Sequence, residues 1–211
     1  MNEDYYQRHA QRFYADTVDV DMSALYQRFL AYLEPGARIL DAGCGSGRDT
    51  RAFSAMGFEV DAFDASAELV ELARQLCGKP VALMRFQDVT ELEKYDAIWC
   101  CASLLHVPEA QLRDVMASLA NALKPGGVWY LSFKYGSGER EKDGRRFTDM
   151  DEAGLEALVA GLNNRSCENS ERADNEAVEA IKIADIWKTG DLRPGRGSEV
   201  WLNGILIKGI K

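Results

Sequence analysis

The sequence predicts an α/β fold, a doubly wound and mostly parallel sheet with helices on both faces. Three observations predict it. Short apolar strands alternate with amphipathic helices from residue 38 to residue 133, the pattern of a parallel sheet covered on both sides. A glycine-rich loop, Gly43-Cys44-Gly45-Ser46-Gly47, follows the first of those strands directly, at the strand end where open parallel sheets bind ligands. Two late strand-like runs are joined by a short connection, which favours antiparallel pairing.

Residues 22–33 carry Met22, Leu25, Tyr26, Phe29, Leu30 and Leu33 at helical spacing, and Pro35-Gly36 ends that helix. Residues 38–42 read as a short buried strand. Residues 49–56 form a short helix stopped by Gly57, and residues 58–63 a second strand. Ser66 suits the N-cap of a helix bearing Leu69, Leu72, Ala73 and Leu76, with Gly78 as its end. Residues 81–86 are a third strand, and residues 95–101 a fourth, apolar enough to lie centrally. Pro108 opens a helix whose core face is Leu112, Val115, Met116, Leu119 and Leu123, closed by Lys124-Pro125-Gly126-Gly127. Residues 128–133 are a fifth strand. Residues 134–146 read as a glycine-rich, charged loop. Thr148 or Asp149 would then cap a helix carrying Leu155, Leu158 and Leu162, and residues 163–175 read as a polar loop. Residues 178–187 and 200–207 are the two late strands, connected through residues 191–198, which include Pro194, Gly195 and Gly197.

Composition narrows the function. The chain has 211 residues, 46% of them hydrophobic, enough for one sizeable core. Its net charge of −9 disfavours non-specific binding to nucleic acid. The longest clearly apolar uncharged run, residues 97–108, is too short to cross a bilayer as a helix. The amino terminus, acidic and tyrosine-rich, lacks the pattern of a signal peptide. Five scattered cysteines, Cys44, Cys77, Cys100, Cys101 and Cys167, contain no C-x-x-C pair. Neither a disulfide framework nor a metal site is expected, and a reducing cytoplasm fits best.

The candidate chemistry sits at the strand ends. Glycines let the loop at 43–47 turn sharply and let its backbone approach a ligand. Asp64 lies 23 positions beyond Asp41 at the end of the second strand, where a carboxylate accepts hydrogen bonds from a ribose diol. A dinucleotide fingerprint starting at Gly43 would need glycine where Arg48 stands. Asp41, just before the glycines, repels a pyrophosphate and attracts a cation, which favours a cationic, adenosine-bearing ligand.

On these residues the sequence resembles the class I S-adenosylmethionine-dependent methyltransferases. Asp41-Ala42-Gly43-Cys44-Gly45-Ser46-Gly47 matches the family's first motif, Asp64 its ribose-binding acid, and Gln87-Asp88-Val89 the segment that meets the adenine. Tyr95-Asp96-Ala97-Ile98-Trp99 matches the fourth strand and Leu123-Lys124-Pro125-Gly126-Gly127 the approach to the fifth. A narrower resemblance, to the small tellurite-resistance-like branch, rests on Gly47-Arg48-Asp49, on the stretch from Cys101 to Pro108, and on Ser132-Phe133-Lys134-Tyr135-Gly136.

The resemblance implies a Rossmann-like, doubly wound, seven-stranded sheet whose final strand is antiparallel. It implies one domain over 1–211, in which 1–34 form a helical cover, 35–135 the cofactor core and 136–211 the substrate-side half. The cofactor would be S-adenosylmethionine, and the acceptor of the methyl group a small molecule. The residues expected to hold the cofactor are Tyr14, Thr17, Asp41, Gly43, Cys44, Gly45, Arg48, Asp64, Ala65, Asp88, Val89 and Cys101. His106, Lys134 and Tyr135 are expected at the acceptor, with His106 or Tyr135 taking a proton if the acceptor is a neutral amine or hydroxyl.

Each has a plainer reading. Asp88 would cap a turn, Cys100 and Cys101 would fill space at a crowded strand end, and Arg48 would form a surface salt bridge rather than meet the cofactor carboxylate. His106 would pack at the start of a helix. Lys134, Tyr135 and the charged run 139–146 would be solvated, the sharper reading of that run being a lid. Tyr14 and Thr17 would lie in a helix packed on the sheet edge. Two other functions remain open in the sequence: a non-catalytic module that binds S-adenosylmethionine, and an NAD-dependent oxidoreductase.

Overall fold

The computed structural model describes residues 2–169, 180–193, 195, 196 and 198–210, with the side chains of Glu3 and of residues 165–169 outside the description. Residues 170–175 of the polar loop expected over 163–175, the first residues of the strand expected from 178, Pro194, Gly197 and the side chain of Cys167 therefore lie outside the described residues.

The chain begins with helix α1 (Asn2–Thr17), kinked at His9, and helix α2 (Ser23–Leu30). Strand and helix then alternate through β1 (Arg38–Ala42), α3 (Arg48–Ala55), β2 (Glu59–Asp64), α4 (Ala67–Cys77), β3 (Ala82–Leu83), β4 (Tyr95–Cys100), α5 (Glu109–Ala122) and β5 (Leu123–Lys134). A hairpin of β6 (Gly138–Lys142) and β7 (Arg145–Asp149) precedes helix α6 (Glu152–Asn169), and β8 (Ile181–Gly190) and β9 (Val200–Lys208) finish the fold. Seven strands form one sheet in the order β3-β2-β1-β4-β5-β9-β8. The first five are parallel, whereas β9 is inserted antiparallel between β5 and β8.

The central strands read as continuous apolar runs because both faces of the sheet are buried. Along β4, Ala97 and Trp99 enter one core with Phe29 and Phe53, while Ile98 and Cys100 enter the other with Leu112, Met116 and Leu119. The same alternation runs through β5: Val128 and Tyr130 go one way, Trp129, Leu131 and Phe133 the other. Trp99 and Tyr130 stack at 3.9 Å between ring centroids across adjacent strands. Ser66 caps α4 by accepting from the Leu69 N–H, and Gly78 ends it in the left-handed region, as the sequence predicts.

Five expectations need correction. Residues 134–146 are not a loop: β6 and β7 pair antiparallel across a two-residue turn, Asp143-Gly144, with φ of 52° and 73°. An Asp-Gly pair favours this turn, but the flanking residues are charged and carry no apolar alternation. Thr148 and Asp149 consequently lie in β7, and Asp151 caps α6 instead, its Oδ1 accepting from the Gly154 N–H at 2.7 Å. Helix α6 runs on to Asn169, past the point where polar composition suggested a loop. Asn163 on that helix hydrogen-bonds both the N–H and the C=O of Ile181, at 2.8 and 2.9 Å. The third strand shortens to two residues, followed by a 3₁₀ turn over Phe86–Asp88, and β5 begins at Leu123 rather than 128, pairing with Tyr95 through a bulge.

Candidate active site

The site forms where β1, β2, β4 and β5 end. After Ala42 the chain must reverse within a few residues to enter α3. Gly43, Gly45 and Gly47 achieve this with φ of 74°, 55° and 78°, a region costly for residues with a Cβ. The N–H groups of Gly43 and Cys44 both donate to the Phe63 carbonyl, at 3.0 and 2.9 Å. Ser103, beyond β4, donates through Oγ to the Ala42 carbonyl at 2.8 Å and lies so close that a Cβ on Gly43 would sit 2.6 Å from its own.

Two adjoining cavities open above this loop, sharing Tyr6, Phe13, Gly43, Gly45, Ala102 and His106. The larger, about 400 Å³, is lined by Asp64, Ala65, Ser66, Met84, Phe86 and Gln87. Asp64 is the acid at its centre. One carboxylate oxygen accepts from the Gly45 N–H and the other from the Ser66 N–H, both at 2.9 Å. Burial raises its pKa against those backbone donors. Each oxygen retains a lone pair for a further donor. The smaller cavity, about 150 Å³, is lined by Thr17, Cys44, Arg48, Cys101, Lys134 and Arg145, among others.

Helix α1 roofs both cavities. The Asn2 side chain bonds the backbone of Arg146 through both its Oδ1 and its Nδ2, at 2.7 and 3.0 Å. Tyr6 Oη lies 2.7 Å from His106 Nε2. His106 Nδ1 lies 3.1 Å from the Arg146 carbonyl, which can only accept, and 3.2 Å from Asn2 Nδ2, which can only donate, so both ring nitrogens are engaged on the protein side. Burial lowers the His106 pKa from its ordinary 6.5 to about 4, so the ring is neutral at pH 7. Burial raises that of Tyr6, so its hydroxyl keeps its proton.

The depressed His106 pKa makes a prediction about stability. Between pH 6.5 and about 4 the unfolded chain holds a proton on this ring that the folded chain lacks. The stability it contributes is present above pH 6.5 and is lost as the pH falls through that window. Urea midpoints measured from pH 7 to pH 4 are expected to fall less steeply in His106→Gln than in the wild type.

Beneath the loop lies a buried acidic pair. Asp41, 2% exposed, accepts from Thr50 Oγ1 at 2.6 Å, and burial, with the nearby Asp49 charge, raises its pKa. Asp49, 5% exposed, accepts from Tyr26 Oη at 2.5 Å, from Trp99 Nε1 at 2.8 Å and from both arms of Arg48, at 2.6 and 2.9 Å. Burial alone would raise the Asp49 carboxyl, but Arg48 and these donors outweigh it and hold it below the usual carboxylate range.

Of the residues expected from sequence, Thr17, Gly43, Cys44, Gly45, Arg48, Asp64, Ala65, Cys101, His106 and Lys134 all line one cavity or the other. Several do not. Asp41 is turned under the loop onto Thr50, so the carboxylate expected to face a cation does not reach the cleft. Asp88 is exposed and closes its own turn onto the Arg85 N–H at 3.1 Å, while Val89 is 3% exposed inside the core. Gln87 of that segment, and Phe86 just before it, face the cavity in their place. Tyr14 lines neither cavity; Tyr6 and Phe13 of the same helix line both. Tyr135 is 41% exposed, with Lys188 Nζ 4.4 Å from its ring centroid, and lines neither cavity. Burial pushes the Cys101 thiol up to about 12 and raises that of Cys44, so both stay protonated. Arg48 is held by Asp49 and also donates to the Thr17 carbonyl at 3.3 Å. Among the described residues no cluster of three or more His, Cys, Asp or Glu could hold a metal.

The arrangement has known relatives. A methyltransferase domain family matches residues 6–159, which span the glycine loop, Asp64 and most of the cleft. The chain belongs to this family.

Among curated proteins, the methyltransferase domain is 38% identical over 105 residues to the ubiquinone biosynthesis O-methyltransferase of Xanthomonas campestris. That match covers 46% of this chain and 43% of the relative, so the chain spans less than half of the curated relatives it matches. Among solved structures it is similar to 1,6-didemethyltoxoflavin-N1-methyltransferase of Burkholderia thailandensis, at 20% identity and a TM-score of 0.74, covering 99% of this chain and 86% of the other. It is also similar to a TehB-like S-adenosylmethionine-dependent methyltransferase of Corynebacterium glutamicum, at 19% identity and a TM-score of 0.66, covering 98% of both. At these identities the likenesses show the fold. S-adenosylmethionine is the cofactor of the family, and the residues present fit it: a free pair of carboxylate lone pairs on Asp64, a glycine cradle that a Cβ would fill, and an aromatic wall at Phe86.

Proposed function

We propose that the protein transfers a methyl group from S-adenosylmethionine to a small-molecule acceptor. The observation that carries this reading is the Asp64 carboxylate, held by two backbone N–H groups and directed into a cavity that continues past Gly43 and Gly45 into a second one. The first cavity suits a nucleoside and the second an acceptor.

When bound, the cofactor supplies a methyl group activated by a positively charged sulfur. Asp64 would hold the ribose hydroxyls, Ala65 and Phe86 would enclose the base, and the backbone of Gly43 and Gly45 would allow close approach. Helix α1 excludes water from above through Tyr6 and Phe13. His106 is a weak base because burial depresses it. Its Nε2 therefore acts to orient the Tyr6 hydroxyl rather than to strip a proton from a neutral alcohol. Orientation and desolvation supply the rate, and effects of this kind reach about 7–11 kcal/mol in favourable cases.

In this reading residues 1–34 cover the site, 35–135 hold the cofactor and 136–211 complete the acceptor side. The motifs around Arg48, His106 and Lys134 support placement in the tellurite-resistance-like branch. Four described cysteines are free thiols, in keeping with a reducing cytoplasm. Among the described residues no helix is long and apolar enough to cross a membrane.

Incubation of the protein with S-adenosylmethionine and a panel of small thiols, phenols, amines and carboxylates, read by mass spectrometry, tests the reading. Formation of S-adenosylhomocysteine together with a methylated product is expected. Tight binding of S-adenosylhomocysteine with no turnover on any acceptor would instead indicate a binding module.

A further inference from the structure

We propose that the acceptor carries an oxyanion group, a carboxylate or phosphate, and that Arg145 and Arg196 hold it in the smaller cavity. This rests on the reading of the cleft as a methyl-transfer site. The chain has a net charge of −9, yet Arg48, Lys134, Arg145, Arg193 and Arg196 line this cavity against two carboxylates, Asp49 and Asp191. Three of the five cations are already matched. Arg48 is paired with Asp49 at 2.6 Å, Arg193 with Asp191 at 2.5 Å and Lys134 with Glu199 at 2.5 Å.

Arg145 and Arg196 are not matched in this way. Arg145 is only 16% exposed, and its ion pair, to Asp143, is 3.9 Å long on a carboxylate that is itself 65% exposed. Its Nε is buried with no hydrogen-bond partner. Its guanidinium is held in place between rings, 4.4 Å from the Tyr5 centroid and 5.2 Å from that of Phe147. Arg196 is half-buried, and no carboxylate among the described residues pairs with it.

The planar guanidinium presents two parallel N–H groups, the geometry that carboxylate and phosphate oxygens meet in pairs. Two cations without a close, buried carboxylate partner in a half-enclosed cleft also raise the local concentration of anions. Arg145 lies beside Tyr6 and lowers the pKa of its hydroxyl against the effect of burial. An oxyanion on Arg145 would thus place the rest of the acceptor against the Tyr6–His106 pair.

The rival occupant is the cofactor's own carboxylate, and the experiment separates the two. Wild-type protein is first titrated with S-adenosylhomocysteine by calorimetry. The loaded protein is then titrated with benzoate, phenyl phosphate and neutral benzyl alcohol. At least one anion is expected to bind at least tenfold more tightly than benzyl alcohol and to weaken as sodium chloride is added; the tighter anion tells carboxylate from phosphate. Arg145→Gln and Arg196→Gln are each expected to weaken that anion tenfold or more while changing S-adenosylhomocysteine affinity less than twofold. Arg196 lies on a loop, so its variant remains informative if Arg145→Gln folds poorly. Equal binding of the neutral alcohol, or no binding of either anion, overturns the proposal. A tenfold loss of S-adenosylhomocysteine affinity in the arginine variants also overturns it, because they would then serve the cofactor. Failure of the wild type to bind S-adenosylhomocysteine at all appears in the first titration and removes the underlying reading along with this one.

Discussion

Asp64→Ala is expected to weaken S-adenosylhomocysteine binding by about 1.5–3 kcal/mol, the range for hydrogen bonds to a charged group, or roughly tenfold to a hundredfold in Kd. The carboxylate is anchored from behind by the Gly45 and Ser66 N–H groups at 2.9 Å. It therefore reaches a ligand already oriented, and little ordering is lost on binding. Removing it also frees the Gly45 N–H, so the loop loses a tether at the point where it must hold a left-handed turn. Calorimetry on the variant and the wild type measures the loss, and circular dichroism checks that the variant is folded. Affinity within twofold of wild type in a folded variant would remove Asp64 from the site.

The largest effect on stability is expected at Asp49. Four donor contacts converge on this carboxylate, from Tyr26, Trp99 and twice from Arg48, and it is 5% exposed. Asp49→Ala leaves the Arg48 charge in the interior without its partner, a situation that costs about 3–5 kcal/mol. It also orphans two ring donors, at about 1–3 kcal/mol each if water cannot replace the acceptor. Losses of this size approach the whole stability of many domains, so soluble but unfolded protein is one expected form of the result. Asp49→Asn keeps one acceptor oxygen and is expected to lose less. Urea denaturation of both variants gives the comparison. A loss below about 1 kcal/mol in Asp49→Ala would contradict a buried charge network here.

The parallel half of the fold was legible because its signals are local. Apolar strands separated by capped helices announce themselves through Ser66, Gly57 and Gly78, and the glycine loop marks where the site must be. The β6–β7 hairpin was not legible, because strands spelled Gly-Glu-Arg-Glu-Lys and Arg-Arg-Phe-Thr-Asp lack an alternating apolar face. Only Asp143-Gly144 carried the signal, and it was hidden among charges.

In the site, sequence identified segments better than side chains. The segment Gln87-Asp88-Val89 runs beside the cavity, yet only Gln87, with Phe86 before it, lines it, while Asp88 turns back on Arg85. Helix α1 was expected to cover the site, yet the helical phase turns Tyr6 and Phe13 inward instead of Tyr14. Asp41 stands beside the glycines in sequence, but strand alternation sends its carboxyl under the loop to Thr50. Direction, which a linear spacing does not encode, decided each of these.

Whether the glycine loop and Asp64 hold a nucleoside is decided by a crystal structure of the protein with S-adenosylhomocysteine. Both ribose hydroxyls are expected within hydrogen-bond distance of the Asp64 carboxylate, with the base beside Phe86. A nucleoside bound elsewhere, or a cleft in which Asp64 contacts only the Gly45 and Ser66 backbone, would contradict that expectation.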